Sequence, residues 1–146
     1  MDKHEFTAIR KYLGITQKEI ATLLGIAEKT VCSYEQGWRN TPDHVERQLI
    51  FLLSRIRKSS IIKKNCRELN KCPEDKRNKC PAWEYDSGRY CWFINGTMCE
   101  GTTQINWHEK MEICKKCAVM KQILDTCLKP TLRQSYIIPP SIHLFT

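Results

Sequence analysis

Eight of the nine cysteines in this chain fall between Cys66 and Cys127, and only Cys32 precedes them. A stretch that rich in thiols is a disulfide framework, a metal or cluster site, or an unusual set of buried free thiols. The total is odd, so full pairing leaves one thiol over. The first residues, MDKHEFTAIRKYLG, are charged throughout and lack the apolar segment of a secretory signal. That start predicts a cytoplasmic protein, where stable disulfides are disfavoured. A metal or iron–sulfur centre is therefore the expected use of the cysteines. No apolar run reaches the about 18–20 residues a membrane helix needs, so no membrane association is expected.

Composition shifts once along the 146 residues, near 57–65. The expected organisation is a first domain over 1–58, a basic linker over 59–64, a cysteine-rich module over 65–128 and a tail over 129–146. Pro139-Pro140 excludes a continuous helix in that tail. The net charge of +8 suggests an anionic partner, with nucleic acid first. Residues 1–58 hold ten basic and seven acidic side chains, and the rest fourteen and nine, so charge alone does not say which half binds.

The first half reads as five short helices if the fourth splits in two, and as four if it does not. Phe6, Ile9 and Leu13 recur at helical spacing over 3–13, and Gly14 ends that segment. Thr16 and Glu19 form a capping box for a helix over 17–24, which Gly25 stops. A third helix spans 28–36 with Val31 and Tyr34 inward, closed by Gly37. Thr41-Pro42-Asp43 opens a fourth, whose stripe is Val45, Leu49, Leu52, Leu53 and Ile56. Tyr34 and Trp38 are both expected in the core.

The segment ITQKEIATLLGIAEKTVCSYEQG, 15–37, resembles the lambda-repressor and Cro-type (XRE) helix-turn-helix family over roughly residues 5–57. The resemblance rests on Thr16-Gln17, the small Ala21, the turn Gly25 and the closing Tyr34-Glu35-Gln36-Gly37. It implies that the third helix enters the major groove of double-stranded DNA. Glu28, Lys29 and Ser33 are then placed for base edges. Lys29 suits guanine O6/N7 and Glu28 suits cytosine N4, although Glu28 also simply favours a helix N-terminus. Gln17, at a helix N-terminus, and Thr30, Gln36, Arg39 and Asn40 are placed for phosphates, with Arg10 assisting. Cys32 is either an inert substitution or a thiol at the DNA face. The family binds as dimers, so a homodimer is expected, through the helix near residues 49–56.

In the second half only Cys114 and Cys117 form a C-x2-C pair, inside a stretch whose periodicity predicts one amphipathic helix over 107–124. At i and i+3 their sulfurs would share a face and form half a metal site. Pro follows both Cys72 and Cys80, and Gly96 and Gly101 bracket Cys99, so these cysteines sit in turns. The expected ligands are Cys80, Cys99, Cys114 and Cys117, with Cys72 and Cys91 next. Irregular all-cysteine spacing favours an iron–sulfur cluster, [4Fe–4S] in type, over zinc (Zn2+), which typically uses two close pairs.

The segments NCRELNKCP, KCPAWEYDSGRYCWFINGTMCEG and EKMEICKKCAVM resemble the two-CW module of bacterial sensor proteins, across roughly 65–120. The first Cys-Trp of that module is Cys66-Arg67 here. The resemblance implies a sensory accessory role. The expected fold class is mainly α: an all-helical helix-turn-helix domain followed by a small, loop-rich, cysteine-rich metal-binding module with one helix. The expected function is a transcriptional regulator that senses redox or metal state. The alternative is a DNA-binding protein whose structural zinc module docks a protein partner. A thiol oxidoreductase on Cys114 and Cys117 is least supported, because no catalytic motif accompanies the pair.

Overall fold

The computed structural model describes residues 1–56 and 63–128. The expected tail and most of the expected linker lie outside the described residues. The fold is mainly helical. The first four helices are α1 (Lys3–Leu13), α2 (Gln17–Leu24), α3 (Glu28–Gln36) and α4 (Asp43–Arg55). Their boundaries follow local chemistry. Asp2 and Thr16 each accept from the backbone N–H three residues on, and Glu5 and Glu19 close the reciprocal bonds. Gly25 and Gly37 end α2 and α3 at φ +66° and +78°, a conformation that only glycine adopts cheaply. α4 is one unbroken helix, with Pro42 as its N-cap.

The second half contains α5 (Cys66–Asn70), α6 (Glu74–Arg77), α7 (Pro81–Glu84), a 3-10 turn at Cys91–Phe93, a two-stranded hairpin, α8 (Trp107–Cys114) and α9 (Ala118–Leu128). The hairpin pairs β1 (Met98–Cys99) with β2 (Thr102–Thr103), antiparallel, with Cys99 opposite Thr102. Glu100 at φ +52° and Gly101 at φ +82° form its two-residue turn.

The module thus carries five helices among the described residues where one was expected. The expected 107–124 helix is two. At its centre Lys116 N–H bonds Ile113 O and Cys117 N–H bonds Cys114 O, both i→i−3, so the helix tightens and ends before α9 starts. No glycine or proline marks the break. Tertiary contacts mark it instead: Lys115 reaches Glu5 at 3.1 Å, and α9 lies against α1, α4 and α5.

The core does not stop at the composition boundary. One cluster joins Phe6, Ile9, Ile20, Val31, Leu49 and Leu53 of the first half to Trp92, Trp107, Met111, Met120 and Ile123 of the second. Glu46, buried on α4, holds this seam with polar bonds. Its Oε2 accepts from the Met1 amino group at 2.9 Å and from Trp107 Nε1 at 3.3 Å. Leu49, Ile50 and Leu53 are completely buried in this chain's own core, while Phe51 on the same helix is 43% exposed. Trp38 also departs from expectation. It is 76% exposed, because the turn after Gly37 carries it off the end of α3.

If the core is shared, a cavity in one half must be felt in the other. Ile123→Ala, in α9, is expected to cost about 2–5 kcal/mol. Urea unfolding followed by far-UV and near-UV circular dichroism should show one coincident transition. Two separate transitions would mean two independent cores.

Candidate functional site

Two surfaces carry the candidate residues. The first is α3 with the turn that follows it. Val31 and Tyr34 turn inward, and Phe6 packs on Tyr34 with ring centroids 5.6 Å apart. Ala21 of α2 is buried where the two helices meet, which a larger side chain would prevent. The opposite side of α3 exposes Glu28, Lys29 and Gln36, and the turn adds Arg39 and Asn40. These five form one polar strip. Thr30 and Ser33 are half-buried on it, and the Ser33 hydroxyl donates to Lys29 O at 2.9 Å. Cys32 is half-buried on the same helix.

Gln17 is less free than its position suggests. Its Nε2 donates to Glu35 Oε2 at 2.6 Å, so its backbone N–H and the second amide hydrogen remain for a phosphate. Arg10 is also engaged, with Nε donating to Glu35 Oε1 at 2.6 Å and Nη1 to Ile15 O at 2.9 Å. This network locks α1, α2 and α3 together. Burial pushes the Glu35 carboxyl up, but the hydrogen bonds from Arg10 and Gln17 outweigh it and hold it below the usual range.

The second surface is a cavity of about 330 Å3 in the cysteine-rich half. Cys66, Cys72, Cys80, Cys91 and Cys99 line it. So do Arg67, Arg77 and Arg89, which give it a basic rim. Arg67 and Arg77 each stack on Trp83, at 3.9 and 4.5 Å from the ring centre.

Local structure explains how the thiols converge. Cys66 opens α5, whose cap is the Asn65–Glu68 capping box, and its N–H bonds Gly88 O at 2.8 Å. Each Cys-Pro step starts a short helix: Pro73 caps α6 and Pro81 is the first residue of α7. Cys99 rides on the hairpin, where Thr97 Oγ1 lies 3.5 Å from its sulfur. Asn70 Nδ2 donates to Cys66 Sγ at 3.4 Å and to Cys117 Sγ at 3.6 Å, which brings Cys117 to the group.

The expected ligands therefore divide. Cys99, Cys114 and Cys117 interact electrostatically with one another and with Cys66. Cys72 interacts with Cys66 and Cys80, on the α5–α7 side. Cys114 and Cys117 do not share a helical face; one ends α8 and the other precedes α9. Cys66 is the group that connects both sets, and it lies outside the C-x2-C pair, the Cys-Pro steps and the glycine-bracketed turn that singled out the expected ligands. The Asn-x-x-Glu cap pattern at 65–68 was the signal that it begins a helix. Among the described residues, no three Cys, His, Asp or Glu side chains form a ready-made single-ion site.

The thiols differ in acidity. A hydrogen bond from Cys91 brings Cys66 down to about 6, and Cys91 itself moves up. Burial pushes Cys99 up, Cys114 up to about 12 and Cys127 up to about 11. Cys127 donates to Leu124 O at 3.3 Å within α9.

Comparison of the chain with family models, with curated proteins and with solved structures finds no match.

The Glu35 carboxyl gives a pH test. Its folded value is depressed, so its contribution is present above the unfolded value and is lost as pH falls through the folded one. Stability from urea titrations should decline below about pH 4.5 in the wild type. Glu35→Gln should be less stable near neutrality and flatter over the same range. Parallel curves would remove Glu35 from the acid-sensitive groups.

Proposed function

We propose that this chain is a sequence-specific, double-stranded DNA-binding transcriptional regulator, and not an enzyme. The observation that carries the reading is the polar strip of Glu28, Lys29, Gln36, Arg39 and Asn40, exposed over a helix pair closely packed at Ala21. That arrangement suits a helix laid in a major groove with its N-terminal residues at the base edges. Lys29 and Glu28 read bases in this proposal, and Arg39, Asn40, Gln36 and Thr30 hold phosphates. The resemblance of 15–37 to the XRE helix-turn-helix family supports the same assignment. Two half-sites call for a homodimer, and its contact lies elsewhere than on the buried face of α4.

In this reading the cysteine-rich half holds a thiolate-bound centre that reports redox or metal state in the cytoplasm. The cavity wall of five cysteines and the basic rim support it, because a thiolate centre is anionic. An iron–sulfur cluster is the first choice and Zn2+ the second. In this proposal Cys66, Cys91, Cys99, Cys114 and Cys117 are the donors, with Cys72 and Cys80 beside them on the cavity wall. Uptake would require the sulfurs to close in on the ion. One observation favours the alternative, a structural module that docks a protein partner. Tyr85 and Ile105 are 68% and 72% exposed and lie outside the lining of the pocket.

Two measurements test the proposal. In footprinting and binding titrations, Lys29→Ala should cost about 1–3 kcal/mol and relax the preference at one base pair. Arg39→Ala should weaken all sequences alike and lower the salt slope by about one. Unchanged footprints in both would sink the DNA assignment. For the centre, metal and acid-labile sulfide are measured on protein purified without oxygen. Cys66→Ser should lose at least as much metal as Cys114→Ser; full occupancy in Cys66→Ser would remove it from the ligands.

A further inference from the structure

Lys110 is completely buried, which is rare for a lysine without an ionic partner. Its Nζ donates to Thr97 Oγ1, and Thr97 is itself buried. Among the described residues no carboxylate lies within ion-pair distance of it. The thiols of Cys66, Cys99 and Cys114 feel its charge. Cys114 lies one turn further along α8, at i+4 from Lys110, on the same side of the helix. Thr97 links the ammonium to the sulfur of Cys99.

A lone ammonium in an apolar interior is expensive, and burial is tolerated when an anion accompanies it. The neighbours able to supply that anion are sulfurs. We infer that Lys110 is the built-in counter-charge of a thiolate-bound metal centre whose ligands include Cys66, Cys99 and Cys114. The inference rests on the metal-centre reading given above. Each ligating thiol releases its proton to solvent when the metal binds. Four thiolates around Zn2+, or around a [4Fe–4S] cluster, leave a net negative centre. One fixed positive charge offsets part of it without admitting water. Lys110 is thus a positioning residue: it touches no metal and acts through the charge and the Lys110–Thr97–Cys99 hydrogen-bond chain.

The test uses the full chain, freed of metal, with Zn2+ alone as the probe. Affinity is read by competition with a chromophoric chelator, and thermal unfolding is followed with and without Zn2+. Lys110→Met removes the charge and keeps the length of the side chain. It is expected to weaken Zn2+ binding ten- to hundredfold. It is also expected to reverse the order of melting temperatures. Without Zn2+ the variant should melt above the wild type, because a buried charge is gone; with Zn2+ it should melt below. A lysine with a purely structural role would not produce that crossover. Thr97→Val, nearly isosteric, should weaken binding by a smaller factor, and it decides the matter if Lys110→Met does not fold. Wild-type Zn2+ affinity in a folded Lys110→Met, or in Thr97→Val where the methionine variant fails to fold, overturns the inference and leaves the metal reading intact. A wild-type chain that carries no metal from oxygen-free purification and takes up no Zn2+ overturns the metal reading, and this inference with it.

Discussion

The fold depends on what α4 buries. Its apolar stripe, Val45, Leu49, Ile50 and Leu53, faces a core that residues from both halves of the chain complete. Within that core the carboxylate of Glu46 gathers the Met1 amino group and the indole N–H of Trp107, and Lys115 approaches it at 3.8 Å. A buried carboxylate with such partners fixes geometry more than it adds stability. Here it fixes where α8 begins relative to α4. Arg47 reinforces the same place by stacking on the Trp107 ring at 4.5 Å.

Charge organises the second half as apolar packing organises the first. Three arginines line the cavity rim, and one lysine sits beneath the sulfurs. Around these cations the thiols are not equivalent. Cys66 is acidified by its bond from Cys91, whereas Cys114 is held protonated by burial. A set of thiols graded in this way loses its protons in order, with Cys66 ahead of Cys114.

Much of the first half is legible in the sequence, because its signals are local. Thr16 with Glu19, and glycines at 14, 25 and 37, set helix ends through hydrogen bonds a few residues long. The second half is less legible because its decisions are made at a distance. The break between Cys114 and Ala118 follows from Lys115 meeting Glu5 and from α9 lying on α1 and α4, and no residue in 107–124 announces it. Cys66 was missed for the same reason: its neighbours Cys91, Asn70 and Cys117 come together only in three dimensions. Trp38 was misplaced by the opposite error. Its size suggested burial, but the tight turn after Gly37 leaves it no interior to enter.

The layering around α1 has a geometric consequence. α1 touches both α3 and α9. The distance from the cysteine-rich half to the helix with the polar strip is therefore about one helix thickness, roughly 10 Å. Close-packed helices transmit displacement rather than absorb it. A tilt of α9 would press on α1 directly, and α1 is bolted to α3 through Arg10 and Glu35. Among the described residues, Val119 of α9 packs with Cys91 while α9 also lies on α1, so the thiol cluster and the helix with the polar strip share α1 as a near neighbour.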